Sequence, residues 1–178
     1  SAASDVYKRQ VKVMLITTRF VSTYVVYFTS GKMLSQRRLG YWASLCYILS
    51  GYNLINSQVR GDLAELVALL FVPLAVYSIW QSGRQTAAKQ EKRWQCLSAI
   101  FTGLAIVNHV PTGVILSVWM ALWMFWLQPK NKPFRNRIVN YIRLLWMPLL
   151  GIGLSSWFLL PAALERESVQ MGMMSVRF

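Results

Sequence analysis

The chain has 178 residues, of which 55% are hydrophobic and 14% are charged, and its mean hydropathy is +0.37. A soluble domain carries about 25% charged residues, so this composition argues against a soluble globule, excludes a disordered chain or a disulfide scaffold, and predicts an integral membrane protein. The net charge of +13 would suggest nucleic-acid binding in a soluble protein. In a membrane protein, basic residues instead mark the cytoplasmic side, and we expect no nucleic-acid partner.

The first ten residues, SAASDVYKRQ, match one reading frame of the transposase adapter used in sequencing libraries. The alternative is a natural polar N-terminus. We expect residues 1–10 to be adapter-encoded and residues 11–178 to be a fragment of one multi-spanning membrane domain. Removing Asp5, Lys8 and Arg9 leaves 17 basic and 5 acidic residues.

Six apolar segments follow, and each is a candidate transmembrane helix. They are residues 13–31, 41–55, 63–80, 95–108, 111–128 and 144–160. Together they predict an all-α, polytopic transmembrane bundle of about six spans, several of them short or broken. The stretch 95–128 is too long for one span and short for two. We therefore expect two short helices that meet near His109, with Pro111 at the start of the second.

Most of the remaining Lys and Arg residues fall in three basic segments, 32–40, 81–94 and 129–143. The positive-inside bias predicts that these segments face the cytoplasm. Arg19 departs from this pattern because it lies about a third of the way into a span. It either faces a wet cavity, pairs with an acidic residue or snorkels to the interface. Cys46 and Cys96 also lie inside spans, and we interpret them as buried small apolar residues.

The predicted outer segments hold a small group of ionisable residues: Arg60, Asp62, Glu65, His109 and Glu165. Polar groups at the edge of the hydrocarbon are costly to leave unpaired, so we expect them to converge. Asp62 and Glu65 are three residues apart and share a helix face. Simpler interpretations remain open: Asp62 as a helix cap, Glu65 as the partner of Arg60, His109 as a turn residue and Glu165 as a solvated helix end.

Three segments in order carry a family resemblance: SGYNLINSQVRGDLAELVALLFVPL (51–74), AIVNHVPTGVIL (105–116) and LSSWFLLPAALERESV (154–169). They resemble bacterial integral membrane proteins with the "6-pyruvoyl-tetrahydropterin synthase related" membrane domain, which is similar to the C-type glycosyltransferase superfamily. The matching positions are Tyr52, Arg60, Gly61, Ala64, Glu65, His109, Phe158, Pro161, Ala162 and Glu165. Asp62 replaces the family's usual Ala, and Asn108 replaces its usual Ser.

The resemblance implies a membrane glycosyltransferase of cell-envelope assembly that uses a polyprenyl-phosphate-linked sugar at the outer face. It also implies a catalytic carboxylate in an outer loop before Val11, so we expect this chain alone to be inactive. Arg60 is then the candidate for binding phosphate. Glu65 and Glu165 are candidates for orienting Arg60 or the sugar hydroxyls, and His109 for donating a hydrogen bond. Asp62 completes the candidate substrate-binding set.

A second hypothesis is a non-enzymatic membrane protein, either a transporter or a glycolipid flippase. Internal repeats would favour a transporter, and none is evident. A single His cannot supply the zinc site of the soluble pterin synthase whose name the family carries. No cofactor motif is evident, and the sequence leaves open whether a divalent metal takes part.

Overall fold

The structure is a computed structural model that describes residues 2–126 and 133–164. Within these ranges all regular structure is helical, which confirms the predicted all-α class. The elements are α1 (Ala2–Met33), α2 (Arg37–Leu49), α3 (Gly51–Ile55), a π-helical turn (Asn56–Arg60), α4 (Leu63–Ser82), α5 (Ala88–Asn108), α6 (Val110–Trp126), α7 (Phe134–Leu144), α8 (Trp146–Leu154) and α9 (Ser156–Leu164).

Two helical segments, Val6–Met33 and Leu63–Ser82, are long and apolar enough to cross a membrane, and Val110–Trp126 is a shorter apolar helix. The predicted break near His109 is present, because α5 ends at Asn108 and α6 begins at Val110. α5 begins at Ala88 rather than at residue 95. Its first turns are polar, so hydropathy detects only the apolar part of the helix.

Two predicted spans are divided into shorter helices. Segment 41–55 is interrupted at Ser50, whose backbone leaves the helical region and whose hydroxyl accepts a hydrogen bond from the amide of Asn53 at 3.4 Å. Segment 144–160 is interrupted at Ser155, whose hydroxyl donates to the carbonyls of Gly103 and Gly151, both at 3.0 Å. Residues 127–132 and 165–178 lie outside the described residues, and with them part of the third basic segment.

The antiparallel pair α4 and α5 forms the centre of the bundle. α1 packs against both α4 and α2, while α6 and α8 pack against α5. The core consists of small and flexible side chains: Ala75, Ile79, Ala105, Leu116, Met120, Met124 and Met147. Small residues let neighbouring helix backbones approach closely, as at Gly40, where a Cβ would lie 2.9 Å from Gly31 Cα.

Cys46 and Cys96 are exposed on the helix surface, so the prediction that they are buried is wrong. Large apolar side chains share this exposure, including Phe20, Ile115 and Trp157 at 69–75%. The outward face of a membrane bundle meets lipid, which is as apolar as the core. An apolar residue within a span can therefore lie on either face of its helix.

Candidate functional site

A sharp backbone turn joins the π-helical turn to α4 and positions the charged residues between them. Gly61 adopts a left-handed conformation with φ of 62°, which glycine reaches without the strain that a Cβ would cause. Asp62 follows as the N-cap of α4, and its Oδ1 accepts a hydrogen bond from the backbone amide of Glu65 at 3.1 Å. The cap function expected of Asp62 is therefore confirmed.

Arg60 bridges the two carboxylates on this turn. Its Nη1 donates to Glu65 Oε2 at 3.1 Å, and its Nη2 lies 3.7 Å from Asp62 Oδ2. The Glu65 side chain is only 2% exposed, whereas the Arg60 side chain is 50% exposed. The buried carboxylate thus anchors a guanidinium that remains half accessible, and its other donors are available to a ligand.

His109 lies at the break between α5 and α6, where its extended backbone ends the first helix. Its Nδ1 lies 2.8 Å from Thr112 Oγ1 and 3.4 Å from the Thr112 amide nitrogen. The Thr112 hydroxyl can donate to Nδ1 or accept from it, so the roles of the two ring nitrogens depend on the tautomer. In each case at least one ring nitrogen of His109 carries a proton and can donate a hydrogen bond.

The structure brings Arg60, Asp62, Glu65 and His109 together from three separate elements. One ligand atom from each of Asp62, Glu65 and His109 lies within 4.8 Å of the other two. Glu165, the fifth predicted member, lies outside the described residues. We call the four described residues the Arg60 cluster.

The carboxylate and imidazole groups of the Arg60 cluster are the ones that could hold a divalent metal ion. One feature of the cluster opposes that use. Arg60 already balances one of the two negative charges, which weakens the attraction for a cation. The same arrangement suits an anion, because it presents a half-exposed guanidinium and an imidazole N–H.

An apolar groove of about 280 Å³ opens beside the Arg60 cluster, between α4 and α6. Its lining residues are Tyr52, Leu69, Val72, Thr112, Ile115, Leu116 and Trp119. Thr112 belongs both to this groove and to the contacts of His109. Sequence reasoning missed the groove and the role of Thr112. The spacing of three residues between His109 and Thr112 at a helix start was the available signal.

The sequence matches a family model described as "Dolichyl-phosphate-mannose-protein mannosyltransferase" over residues 4–174. No curated protein matches the chain significantly, and neither does any solved structure.

Proposed function

Because the chain belongs to the dolichyl-phosphate-mannose-protein mannosyltransferase family, we propose that it is part of a membrane glycosyltransferase whose Arg60 cluster binds the phosphate of a polyprenyl-phosphate sugar. The observation that carries the proposal is the half-exposed guanidinium of Arg60 in a cluster whose His109 contacts Thr112, a residue that lines an apolar groove. A lipid-linked sugar has a charged phosphate next to a long apolar chain, so its site needs a cation and an apolar surface side by side.

The phosphate is the leaving group of the transfer and gains negative charge as the bond to the sugar breaks. Arg60 stabilises this charge, because a guanidinium donates to two phosphate oxygens in a fixed geometry. The imidazole of His109 supplies a further hydrogen-bond donor to the same phosphate or to a sugar hydroxyl. The polyprenyl chain of the donor lies in the apolar groove, which Thr112 and Tyr52 help to line.

The carboxylates of the Arg60 cluster position Arg60 rather than accept a proton from the acceptor hydroxyl. Asp62 is held as the cap of α4, and Glu65 is buried against Arg60. Both carboxylates already form hydrogen bonds or ion pairs within the cluster, so neither is oriented towards an acceptor hydroxyl. We therefore assign the general base to a group outside the Arg60 cluster. We also propose that the sugar transfer takes place at the outer face of the membrane and that it serves assembly of the cell envelope.

Two measurements test the proposal: binding of a fluorescent polyprenyl phosphate by the protein in detergent, and transfer of labelled sugar from a polyprenyl-phosphate donor in membranes containing the protein. Arg60→Ala should weaken donor binding by about 10- to 100-fold, the value of a hydrogen bond to a charged group. Arg60→Lys keeps a cation beside Glu65 and should retain part of the affinity. Arg38→Ala, which removes an exposed Arg on α2, is the matched control.

Absence of polyprenyl-phosphate binding, or equal affinities for the Arg60→Ala and Arg38→Ala variants, would contradict the proposal. Donor binding with no sugar transfer in membranes that contain an acceptor, combined with movement of the intact donor between leaflets, would favour a flippase instead.

A further inference from the structure

A second cavity lies between α1 and the π-helical turn, with a volume of about 230 Å³. Its lining residues are Lys12, Leu15, Ile16, Arg19, Ser57 and Gln58, which include two cations and no carboxylate. Lys12 and Arg19 are seven residues apart, close to two helical turns, so they share one face of α1 about 10.5 Å apart along the axis. Both side chains are long enough to reach a group placed between them.

The guanidinium of Arg19 is incompletely satisfied. Its Nη2 donates to the carbonyl of Ile48 at 2.9 Å, while its Nε is buried without a hydrogen-bond partner. In the described part of the chain, the ion pairs involve Arg60 and none involves Arg19. A cation within an apolar helix is costly unless a negative group or a polar cavity compensates it. The cavity beside Arg19 is where such a group would lie.

We infer that Lys12 and Arg19 form an anion site for a phosphate group, separate from the Arg60 cluster. Phosphate suits the site because its oxygens can accept hydrogen bonds from the Lys12 ammonium, the Arg19 guanidinium and the Gln58 side-chain amide at the same time. Ser57 contributes less, because its hydroxyl already donates to the carbonyl of Asn53 at 2.7 Å. Leu15 and Ile16 supply an apolar wall against which a lipid chain can pack. The phosphate of a phospholipid headgroup and a free phosphate ion present the same acceptor oxygens to Lys12 and Arg19, so the experiment has to distinguish these two sources.

The inference is independent of the proposed glycosyl transfer, because Arg60 does not line this cavity. The test uses the full chain in a neutral detergent, titrated separately with inorganic phosphate and with short-chain phosphatidylglycerol, with binding measured by phosphorus NMR. Lys12→Gln should weaken the binding of each ligand that the unmodified protein binds by about tenfold or more. Arg19→Gln should do the same. Arg38→Gln removes one exposed positive charge elsewhere and should change little.

Lys12→Gln keeps the test informative if Arg19→Gln fails to fold, because Lys12 is exposed and its side chain is not part of the core. Binding of both ligands with loss in the Lys12 variant supports a general phosphate site, and binding of phosphatidylglycerol alone supports a lipid headgroup site. Persistence of this binding in Arg60→Gln separates it from the donor site. Binding of neither ligand, or equal losses in the Lys12 and Arg38 variants, would overturn the inference.

Discussion

At the residue scale, the orientation of Arg60 depends on the two residues that follow it. Gly61 reverses the chain with a positive φ, and Asp62 begins α4 at once. The surroundings of Gly61 are open, since a Cβ there would meet no atom within 4 Å. Any effect of a side chain at residue 61 therefore comes from backbone strain and not from a clash.

Because no clash accompanies a side chain at residue 61, a substitution there measures the cost of backbone strain alone. Gly61→Ala should lower the free energy of unfolding by about 1–2 kcal/mol, the cost of a Cβ in the left-handed region. Gly51→Ala is the matched control, because that position is equally open but lies at the start of α3 with an ordinary φ. It should be neutral or slightly stabilising. Denaturant titration of both variants measures the difference, and equal stabilities would contradict the role assigned to Gly61.

The cap at Asp62 allows charge and hydrogen bonding to be separated. Asp62→Ala removes the acceptor for the Glu65 amide and should lower the free energy of unfolding by about 1 kcal/mol. Asp62→Asn keeps a cap of similar quality and should lose much less, while removing the charge near Arg60. If unfolding shows the two variants equally destabilised, the negative charge and not the cap dominates at this position.

Sequence reasoning reached the Arg60 cluster by two routes. The convergence of His109 on the carboxylates was expected because polar groups at the hydrocarbon edge are costly to leave unpaired, whereas the other contacts are short-range. The cap at Asp62 and the pairing of Glu65 with Arg60 both follow from spacings of three and five residues. The contact of His109 with Thr112 was not predicted in the same way. It depends on the amide and hydroxyl of Thr112 facing one ring nitrogen, which only the geometry of the α5–α6 break provides.

At the element scale, the close packing of α6 on α5 holds His109 beside α4. Gly113 lies so near α5 that a Cβ on it would sit 2.5 Å from Ile106 Cα and 2.7 Å from Ile106 N. These are backbone atoms, so a rotamer change cannot relieve the clash. The two helices would have to separate, and the break at His109 would move with them.

Gly113→Ala should therefore weaken binding of polyprenyl phosphate although residue 113 does not belong to the Arg60 cluster. The reason is displacement of His109 and of the groove wall that α6 carries. Gly153→Ala adds the same methyl group where nothing lies within 4 Å and should leave binding unchanged. Competition binding with the fluorescent donor compares the two. Equal affinities would mean that α6 does not position the site.

Element boundaries were predictable only where they coincide with polar sequence. The break at His109 falls in a short polar stretch that includes Asn108 and Pro111, and it was predicted. The interruption at Ser155 lies within a continuous apolar run, LLGIGLSSWFLL. The Ser155 hydroxyl there makes a tertiary hydrogen bond to Gly103 of α5, and periodicity and hydropathy carry no sign of such a contact.

At the scale of the whole molecule, α4 and α5 separate the Arg60 cluster from a basic loop. α4 begins at the cluster and ends at Ser82, and α5 runs from Ala88 back to His109. α4 has 20 residues, spans about 30 Å and is apolar enough to cross a membrane, whereas the first turns of α5 are polar. The basic segment 81–94, which includes these first turns of α5, therefore lies at the opposite end of the helix pair from the Arg60 cluster.

The positive-inside bias then predicts which end faces the cytoplasm. In a background with Cys46→Ser and Cys96→Ser, both needed because these thiols are exposed, Ala88→Cys should resist an impermeant maleimide in intact cells and react after permeabilisation. Val59→Cys, at a position 78% exposed next to Arg60, should react in intact cells. The opposite labelling pattern would invert the topology and place the Arg60 cluster at the cytoplasmic face. Equal labelling of both positions in intact cells would mean that α4 and α5 do not cross the membrane, because each would then have both ends on one side.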